Sequence, residues 1–255
     1  MNNVNKTLYI PLYGKACVSR KGIILRDPKA EEIWAADGFP LKGKAKSKWL
    51  SYYMGMRAAV FDRWLKAQMD ADPEAVVLHI GCGMDSRCQR VGTKGRRWFD
   101  IDFPDVIAER RRYYQETEDY RMLGSDVTDP HWLEAVPSGR AIIVMEGVSM
   151  YLFPEKLRET LDWIADHFDS VHLLMDCYTT FAAKASRYKN PINDVGVTEV
   201  FGMDDPNALA GFVREHDMTP ADLTGQLAGV ERKIFEMLYA GKIARNMYRL
   251  YEYRR

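Results

Sequence analysis

The sequence predicts an α/β fold with a mostly parallel central sheet, helices on both faces and an N-terminal helical cap. Five short apolar runs lie between turn-forming or charged residues: Ala75–Ile80, Arg97–Ile101, Tyr120–Leu123, Ala141–Met145 and Val171–Met175. Their continuous apolar character indicates strands that are buried on both faces. Segments with helical spacing alternate with these runs, which is typical of a parallel sheet with crossover helices.

Four helices are predicted around the first five strands. Pro104–Gln115 begins with a proline, which is favoured in the first turn of a helix. Pro154–Phe168 carries apolar residues at helical spacing. Lys29–Ala36 and Ser47–Met69 precede the first strand, so they are assigned to the cap.

The segment after the fifth strand has a mixed pattern. Asp205–Glu215 and Gln226–Met237 have helical spacing, whereas Met218–Leu223 and Tyr248–Tyr253 are predicted to be closing strands. The stretch that directly follows the fifth strand is expected to form a lid.

Length and composition indicate one elaborated domain. The chain has 255 residues, of which 47% are hydrophobic, enough for one sizeable core. We expect a helical cap in residues 1–70, a ligand-binding core in 71–177, and a lid with closing elements in 178–255.

Charge and cysteine content restrict the class of partner. The 36 basic and 36 acidic residues cancel, which argues against a nucleic-acid partner. No apolar run reaches the roughly 18 residues of a membrane span, and "MNNVNKTLYI" lacks the apolar region of a signal peptide. The four cysteines form no CxxC pair and no zinc spacing, so we expect a reduced, cytoplasmic protein without a metal site.

The loop after the first strand contains two glycines. Ligands of open parallel sheets bind outside the carboxyl ends of the strands. Gly81 and Gly83 would let the backbone approach such a ligand closely, although a tight turn without a ligand explains them equally well. The dinucleotide fingerprint requires a third glycine where Ser86 stands, which disfavours a pyrophosphate site.

Acidic residues follow the next three strands. Asp102 lies about 20 residues beyond the glycine loop, where an acid can accept hydrogen bonds from ribose hydroxyls, but it also suits a helix N-cap. Asp126 suits either the amine of an adenine or a solvated loop. Glu146 directly follows an apolar run and therefore needs a partner, either a cationic ligand or a core arginine. Together, the glycine loop and Asp102 favour a nucleoside ligand.

Four motifs occur in a specific order: "VVLHIGCGMDSR", "WFDIDFPDVI", "GSDVTDPHWL" and "AIIVMEGVSMYL". They resemble the leucine carboxyl methyltransferase family, which includes the tetracenomycin-type polyketide O-methyltransferases. "RDPKAEEIW" and "YYMGMRAAVFDRWL" are similar to the cap of that family, and "GMDDP" is similar to a later segment. The resemblance implies a Rossmann-like class I methyltransferase with S-adenosyl-L-methionine as its cofactor.

The resemblance also implies roles for individual residues at the nucleoside end of the cofactor. Asp102 would bind the ribose hydroxyls. Asp126 and Val127 would flank the adenine.

At the methionine end the resemblance implies five more residues. Gly81 and Gly83 would wrap the methionine part, with Glu146 beside it, and Arg57 would bind its carboxylate. Lys15 is a weaker candidate, because its spacing departs from the family pattern by about one residue. The planar fork of an arginine suits bidentate binding of a carboxylate.

Three further residues around the glycine loop have open roles. Asp85 and Arg87 match the family's "GxDxR" tail, and we expect them either to brace the loop or to face the acceptor. His79 is interpreted as a core histidine with a backbone partner rather than as a pH switch.

Methyl transfer from a sulfonium is an in-line displacement, which requires positioning of the acceptor and exclusion of water. A carboxylate acceptor needs no base, whereas a hydroxyl benefits from one. Tyr151 is a weak candidate for a catalytic residue, and no clear base is found. We predict O-methylation of a small-molecule carboxylate or hydroxyl, with no nucleic-acid or membrane partner. The alternatives are a cofactor-binding protein without turnover, a protein carboxyl methyltransferase, and a nucleotide-binding oxidoreductase.

Overall fold

A computed structural model describes residues 6–37, 41–197, 199–205, 212–216 and 226–255. Its seven strands are β1 (Val76–Ile80), β2 (Trp98–Asp102), β3 (Tyr120–Gly124), β4 (Arg140–Met145), β5 (Ser170–Tyr178), β6 (Phe212–His216) and β7 (Tyr248–Arg254). They form one sheet in the order β3-β2-β1-β4-β5-β7-β6. Strands β1 to β5 pair in parallel, and β7 runs antiparallel to both β5 and β6. The prediction of a mostly parallel sheet is confirmed.

The α-helices of the described residues follow the predicted alternation with the strands. They are α1 (Tyr9–Arg20), α2 (Pro28–Asp37), α3 (Lys48–Ala71), α4 (Arg87–Val91), α5 (Pro104–Arg110), α6 (Pro154–His167), α7 (Thr180–Lys189), α8 (Gly229–Tyr239) and α9 (Lys242–Arg245). Helices α1 to α3 precede β1 and form the predicted cap, although the sequence did not reveal α1. None of these helices is both long enough and apolar enough to cross a membrane.

Two hydrophobic cores cover the two faces of the sheet. Because side chains alternate along a strand, Ile142 and Val144 of β4 pack with the cap helices, whereas Ile143 packs with α6. Helix α6 contributes Leu157 and Ile164, which belong to the apolar stripe predicted for it. The prediction of helices on both faces is therefore confirmed.

The strand order places a crevice beside the glycine loop. The chain moves from β1 to β2 on one side and later returns to β4 on the other side of β1. The carboxyl ends of β1 and β4 therefore lie at the point where the strand order reverses, which is where ligands bind in open α/β sheets.

Some predicted boundaries were wrong. Strand β6 (Phe212–His216) covers the last four residues of the predicted helix Asp205–Glu215, because its backbone pairs with β7. Helix α5 ends at Arg110, five residues before the predicted end. The closing strand Tyr248–Tyr253 is confirmed as β7, and the predicted strand Met218–Leu223 lies outside the described residues.

Candidate active site

A cavity of about 940 Å³ opens at the carboxyl ends of β1, β2 and β4. Small-molecule sites commonly measure about 300–1,000 Å³, so the cavity has room for a nucleoside cofactor and an acceptor together. The structure brings seven of the eight predicted cofactor residues into its lining, together with Tyr151. The seven are Lys15, Arg57, Gly81, Gly83, Asp102, Val127 and Glu146.

The two glycines of the loop after β1 have positive φ angles, a backbone conformation that is energetically costly for residues with a Cβ atom. Gly81 has a φ of +66° and Gly83 a φ of +49°. A Cβ atom at position 81 would lie 2.1 Å from Cγ2 of Val148, in the segment after β4. The loop therefore packs closely against the neighbouring loop of the crevice.

Asp102 fixes the glycine loop to the end of β2. Its Oδ2 accepts a hydrogen bond from the Gly83 amide at 2.7 Å, and its Oδ1 accepts one from the Phe103 amide at 2.8 Å. Asp102 is not the N-cap of α5, because Phe103 holds that position. Burial raises the pKa of Asp102, although these two amides oppose the rise. Each carboxylate oxygen keeps a second lone pair, which suits hydroxyl donors of a ribose.

Asp126 is the predicted residue that the structure does not place in the cavity. Its side chain is exposed, and its Oδ1 accepts hydrogen bonds from the Thr128 amide at 2.9 Å and from the Thr128 hydroxyl at 2.8 Å. Its neighbours Ser125 and Val127 line the cavity instead. The geometry is that of a solvated loop acid, and its role at the adenine stays a prediction.

Arg57 and Glu146 form a buried ion pair at the other end of the cavity. The Arg57 Nε donates to Glu146 Oε1 at 2.8 Å, and its Nη1 donates to the Tyr248 hydroxyl at 2.9 Å. Burial would raise the pKa of Glu146, but Arg57 and Arg87 outweigh it and lower that pKa to about 2. Among the described residues Arg57 Nη2 donates no hydrogen bond, so it can still bind an anion.

The contacts of Arg87 and Asp85 show which of the two expected roles the "GxDxR" tail has. It is fully buried and donates to both Glu146 and Asp62, the latter at 2.8 Å. Asp85 accepts from Lys15 and Arg90, with N–O distances of 2.8 and 2.6 Å. The tail therefore braces the glycine loop against the cap.

His79 is a buried core histidine, as predicted, but its partner is a side chain. Its Nε2 lies 2.9 Å from Arg87 Nη1, and its Nδ1 lies 3.4 Å from Asp100 Oδ1. Burial and the positive charge of Arg87 lower the pKa of His79. The ring is therefore neutral, with Nε2 as the acceptor. The expected backbone partner was wrong because Arg87 reaches the ring from the following helix.

Sequence reasoning missed two residues, one in the cavity lining and one directly beside it. Asp176 is fully buried at the end of β5, where its Oδ1 accepts from the Gly147 amide at 2.7 Å. Tyr248 lines the cavity and donates to Asp176 Oδ2. The signal for Asp176 was present, since it is a single acid at the end of an apolar run, as Glu146 is.

Comparison with known proteins identifies the family. The family model of leucine carboxyl methyltransferase matches residues 11–165, more than half of the chain. The chain belongs to the leucine carboxyl methyltransferase family. It is 31% identical to the tetracenomycin polyketide synthesis O-methyltransferase of Streptomyces glaucescens, over 84% of this chain and 80% of that protein. It is 29% identical to an S-adenosyl-L-methionine-dependent methyltransferase of Gibberella zeae, over 78% of this chain and 75% of that protein.

A solved structure shares the fold of this leucine carboxyl methyltransferase family member. Magnesium protoporphyrin IX methyltransferase from Synechocystis, with bound SAH (S-adenosylhomocysteine), superimposes with a TM-score of 0.52 and 11% identity, over 89% of this chain and 93% of that chain. The likeness confirms the Rossmann-like class I fold. The chain is an S-adenosylmethionine-dependent methyltransferase, as the sequence predicted.

Proposed function

We propose that this enzyme transfers the methyl group of S-adenosylmethionine to an oxygen atom of a small-molecule acceptor. The observation that carries the proposal is one cavity whose lining combines two unlike sets of side chains. One set consists of charged groups that complement the cofactor, and the other consists of apolar and aromatic side chains.

The charged residues of the lining fit the cofactor group by group. Asp102 has free lone pairs for the ribose hydroxyls, and Arg57 Nη2 is available for the methionine carboxylate, with Lys15 nearby as a second cation. Glu146 provides the negative charge beside the methionine end, and the glycine loop leaves room for the ligand. When bound, the cofactor supplies a methyl group on an electrophilic sulfonium.

The apolar and aromatic side chains of the lining suit an aromatic acceptor. They come from the cap, from the segment after β4, from the end of β5 and the segment that follows it, and from the C-terminal elements. They include five tyrosines: Tyr53, Tyr151, Tyr178, Tyr239 and Tyr248. Such a wall excludes water and orients a flat ligand by stacking. The Streptomyces relative, whose name assigns it to polyketide O-methylation, supports this class of acceptor.

Tyr151 fits a positioning role better than a role as base. Burial raises its pKa, so its hydroxyl keeps its proton at neutral pH. A protonated phenol can donate a hydrogen bond to the acceptor oxygen and hold it in line with the methyl group. We further propose a cytoplasmic location, which the free state of all four cysteines supports.

A methyl-transfer assay tests the proposal. The enzyme is incubated with methyl-labelled S-adenosylmethionine and a panel of aromatic hydroxyls and aromatic carboxylates, and labelled product is identified by mass spectrometry. We expect transfer to an oxygen, lost in Asp102→Ala and retained in Asp129→Ala, an exposed acid outside the cavity lining. Cofactor binding without transfer to any member of the panel would contradict the proposed class of aromatic acceptor.

A further inference from the structure

The carboxylate of Asp176 contacts three separate elements of the fold at one point beside the cavity. The side chain is fully buried near the end of β5. Its Oδ1 accepts a hydrogen bond from the Gly147 amide at 2.7 Å, and its Oδ2 accepts one from the Tyr248 hydroxyl. The Nη1 of Arg57 lies 3.4 Å from the same Oδ2. The loop after β4, strand β7 and the cap helix α3 therefore meet at this carboxylate.

The hydrogen bonds around the Tyr248 hydroxyl have a fixed direction. An ionised carboxylate only accepts hydrogen bonds, so the single proton of the hydroxyl points to Asp176. The lone pairs of the hydroxyl oxygen then face a donor, and Arg57 Nη1 donates to that oxygen at 2.9 Å. Tyr248 thereby separates Arg57 from Asp176, a carboxylate that could otherwise form a bidentate ion pair with the guanidinium.

The ring of Tyr248 is held by two other tyrosines of the cavity lining. Tyr53 packs edge-on against it with 6.0 Å between the ring centroids, and Tyr178 does so at 5.3 Å. Both pairs have the T-shaped geometry that aromatic rings prefer. Ring packing therefore fixes the position of the hydroxyl together with its hydrogen bonds.

The contacts of Arg57 leave one of its three guanidinium nitrogens for a ligand. Nε donates to Glu146 at 2.8 Å and Nη1 donates to Tyr248, so contacts at two nitrogens fix the orientation of the guanidinium plane. Nη2 donates to no group in the described part of the chain, and a Cβ atom at Gly147 would lie 3.4 Å from it. A side chain that is already held in its binding orientation loses less freedom when the ligand binds.

We propose that Tyr248 and Asp176 are positioning residues of the cofactor site, which hold Arg57 Nη2 toward the carboxylate of the methionine part. Tyr248 fixes the guanidinium through Nη1, and Asp176 fixes both Tyr248 and the loop after β4. Neither residue needs to touch the cofactor for this role. Without the Tyr248 hydroxyl, Arg57 can turn to Asp176 and pair with it directly, which takes Nη2 away from the ligand. The inference rests on the proposed function, because it requires a bound methionine part.

Calorimetric titration with SAH in a double-mutant cycle tests the inference. Tyr248→Phe removes the hydroxyl but keeps the ring, and it should weaken SAH binding at least tenfold, as should Arg57→Gln. Adding Tyr248→Phe to Arg57→Gln should change the affinity less than threefold further, because the group that the hydroxyl positions is already absent. A smaller loss in either single variant, or a threefold or larger further loss in the double variant, would overturn the inference.

Methylthioadenosine provides a readout that a general disturbance of the site would not give. It carries the nucleoside and the sulfur of SAH but lacks the amino-acid part, so it has no carboxylate for Arg57. Tyr248→Phe should weaken SAH binding at least tenfold while the affinity for methylthioadenosine changes less than threefold. Asp176→Asn, which keeps an acceptor for the Gly147 amide, should give the same split. Equal losses for the two ligands would contradict a role through Arg57.

The matched control is Tyr251→Phe, because Tyr251 is a fully buried tyrosine of β7 whose side chain packs on the opposite face of the sheet. This variant should bind both ligands as the wild type does. Failure of the proposed function gives a different result, namely a wild-type chain that does not bind SAH saturably. Saturable wild-type binding without a tenfold loss in Tyr248→Phe would leave the cofactor site in place and overturn only the positioning role.

Discussion

Glu146 is held ionised by two buried guanidiniums, from Arg57 and Arg87, that approach its two oxygens. The sequence showed that a carboxylate at this position needs a partner, and it left open whether that partner is a ligand or a core arginine. The structure shows two arginines, of which Arg57 lines the cavity and donates no hydrogen bond from Nη2 to the part of the chain that the structure describes. The two interpretations are therefore compatible, because the same arginine can serve the core and the cofactor.

Loss of the Glu146 charge should destabilise the protein. Glu146→Gln leaves Arg57 and Arg87 without their shared carboxylate, and breaking a buried ion pair costs about 3–5 kcal/mol. Urea unfolding should show a decrease of this size in the free energy of unfolding. Glu159→Gln, which affects an exposed pair with Lys156, is the control and should stay within about 0.5 kcal/mol. Equal effects of the two variants would contradict the assigned burial.

Stability should also fall in acid. The pKa values of Glu146 and Asp100 are lowered to about 2, because nearby arginines outweigh the effect of burial. A carboxylate with a lowered folded-state pKa stabilises the protein above its unfolded pKa of about 4, and this contribution disappears as the pH falls toward 2. Urea unfolding between pH 6 and pH 2 should therefore show a decrease that begins near pH 4. A flat or rising profile on acidification would exclude this linkage.

At the scale of the element, the glycine loop after β1 combines backbone strain with close packing. Gly81→Ala places a Cβ against Val148, whose branched side chain cannot easily move away. Gly92→Ala is the matched control, because Gly92 also has a positive φ, +80°, but nothing lies within 4 Å of the added Cβ. We expect Gly81→Ala to lower the melting temperature more than Gly92→Ala and to weaken SAH binding at least tenfold. Equal losses in the two variants would show that the strain alone matters.

The elements differ in how well the sequence predicted them. Strands β1 to β5 are buried on both faces, so each appears as a continuous apolar run that needs no knowledge of its neighbours. Strand β6 is an edge strand held by β7, and pairing between distant segments overrides a local helical pattern. Helix α1 was missed for a similar reason, since its burial under α3 is a tertiary contact.

At the scale of the whole molecule, the sheet order brings together residues that are distant in sequence. Residues at the ends of β1, β2 and β4 could be predicted to meet, because parallel strands present their carboxyl ends at one edge. The ion-pair network that links Lys15, Asp62 and Arg87 could not be predicted, because the pairs of Lys15 and of Asp62 each join a residue of the cap to a residue of the core. The same limitation concealed Tyr248, which reaches the site from the antiparallel strand β7.

Ligand binding should stabilise the cap as well as the loop, because buried ion pairs join the two. With SAH bound, hydrogen exchange should slow in α1 and α3 as well as in the segment after β1. Helix α6 packs on the opposite face of the sheet and is the internal control, with unchanged exchange expected. Protection confined to the glycine loop would show that the cap does not respond to the ligand.

Calorimetric titration with SAH tests the central claim, that this cavity is the cofactor site. The wild-type chain should bind SAH saturably at one site, and Asp102→Asn should weaken binding at least tenfold, since it removes a carboxylate oxygen that faces the ribose position. Asp129→Asn, outside the cavity lining, should bind as the wild type does. Absence of saturable binding, tighter binding of a nicotinamide dinucleotide, or unchanged affinity in Asp102→Asn would contradict the claim.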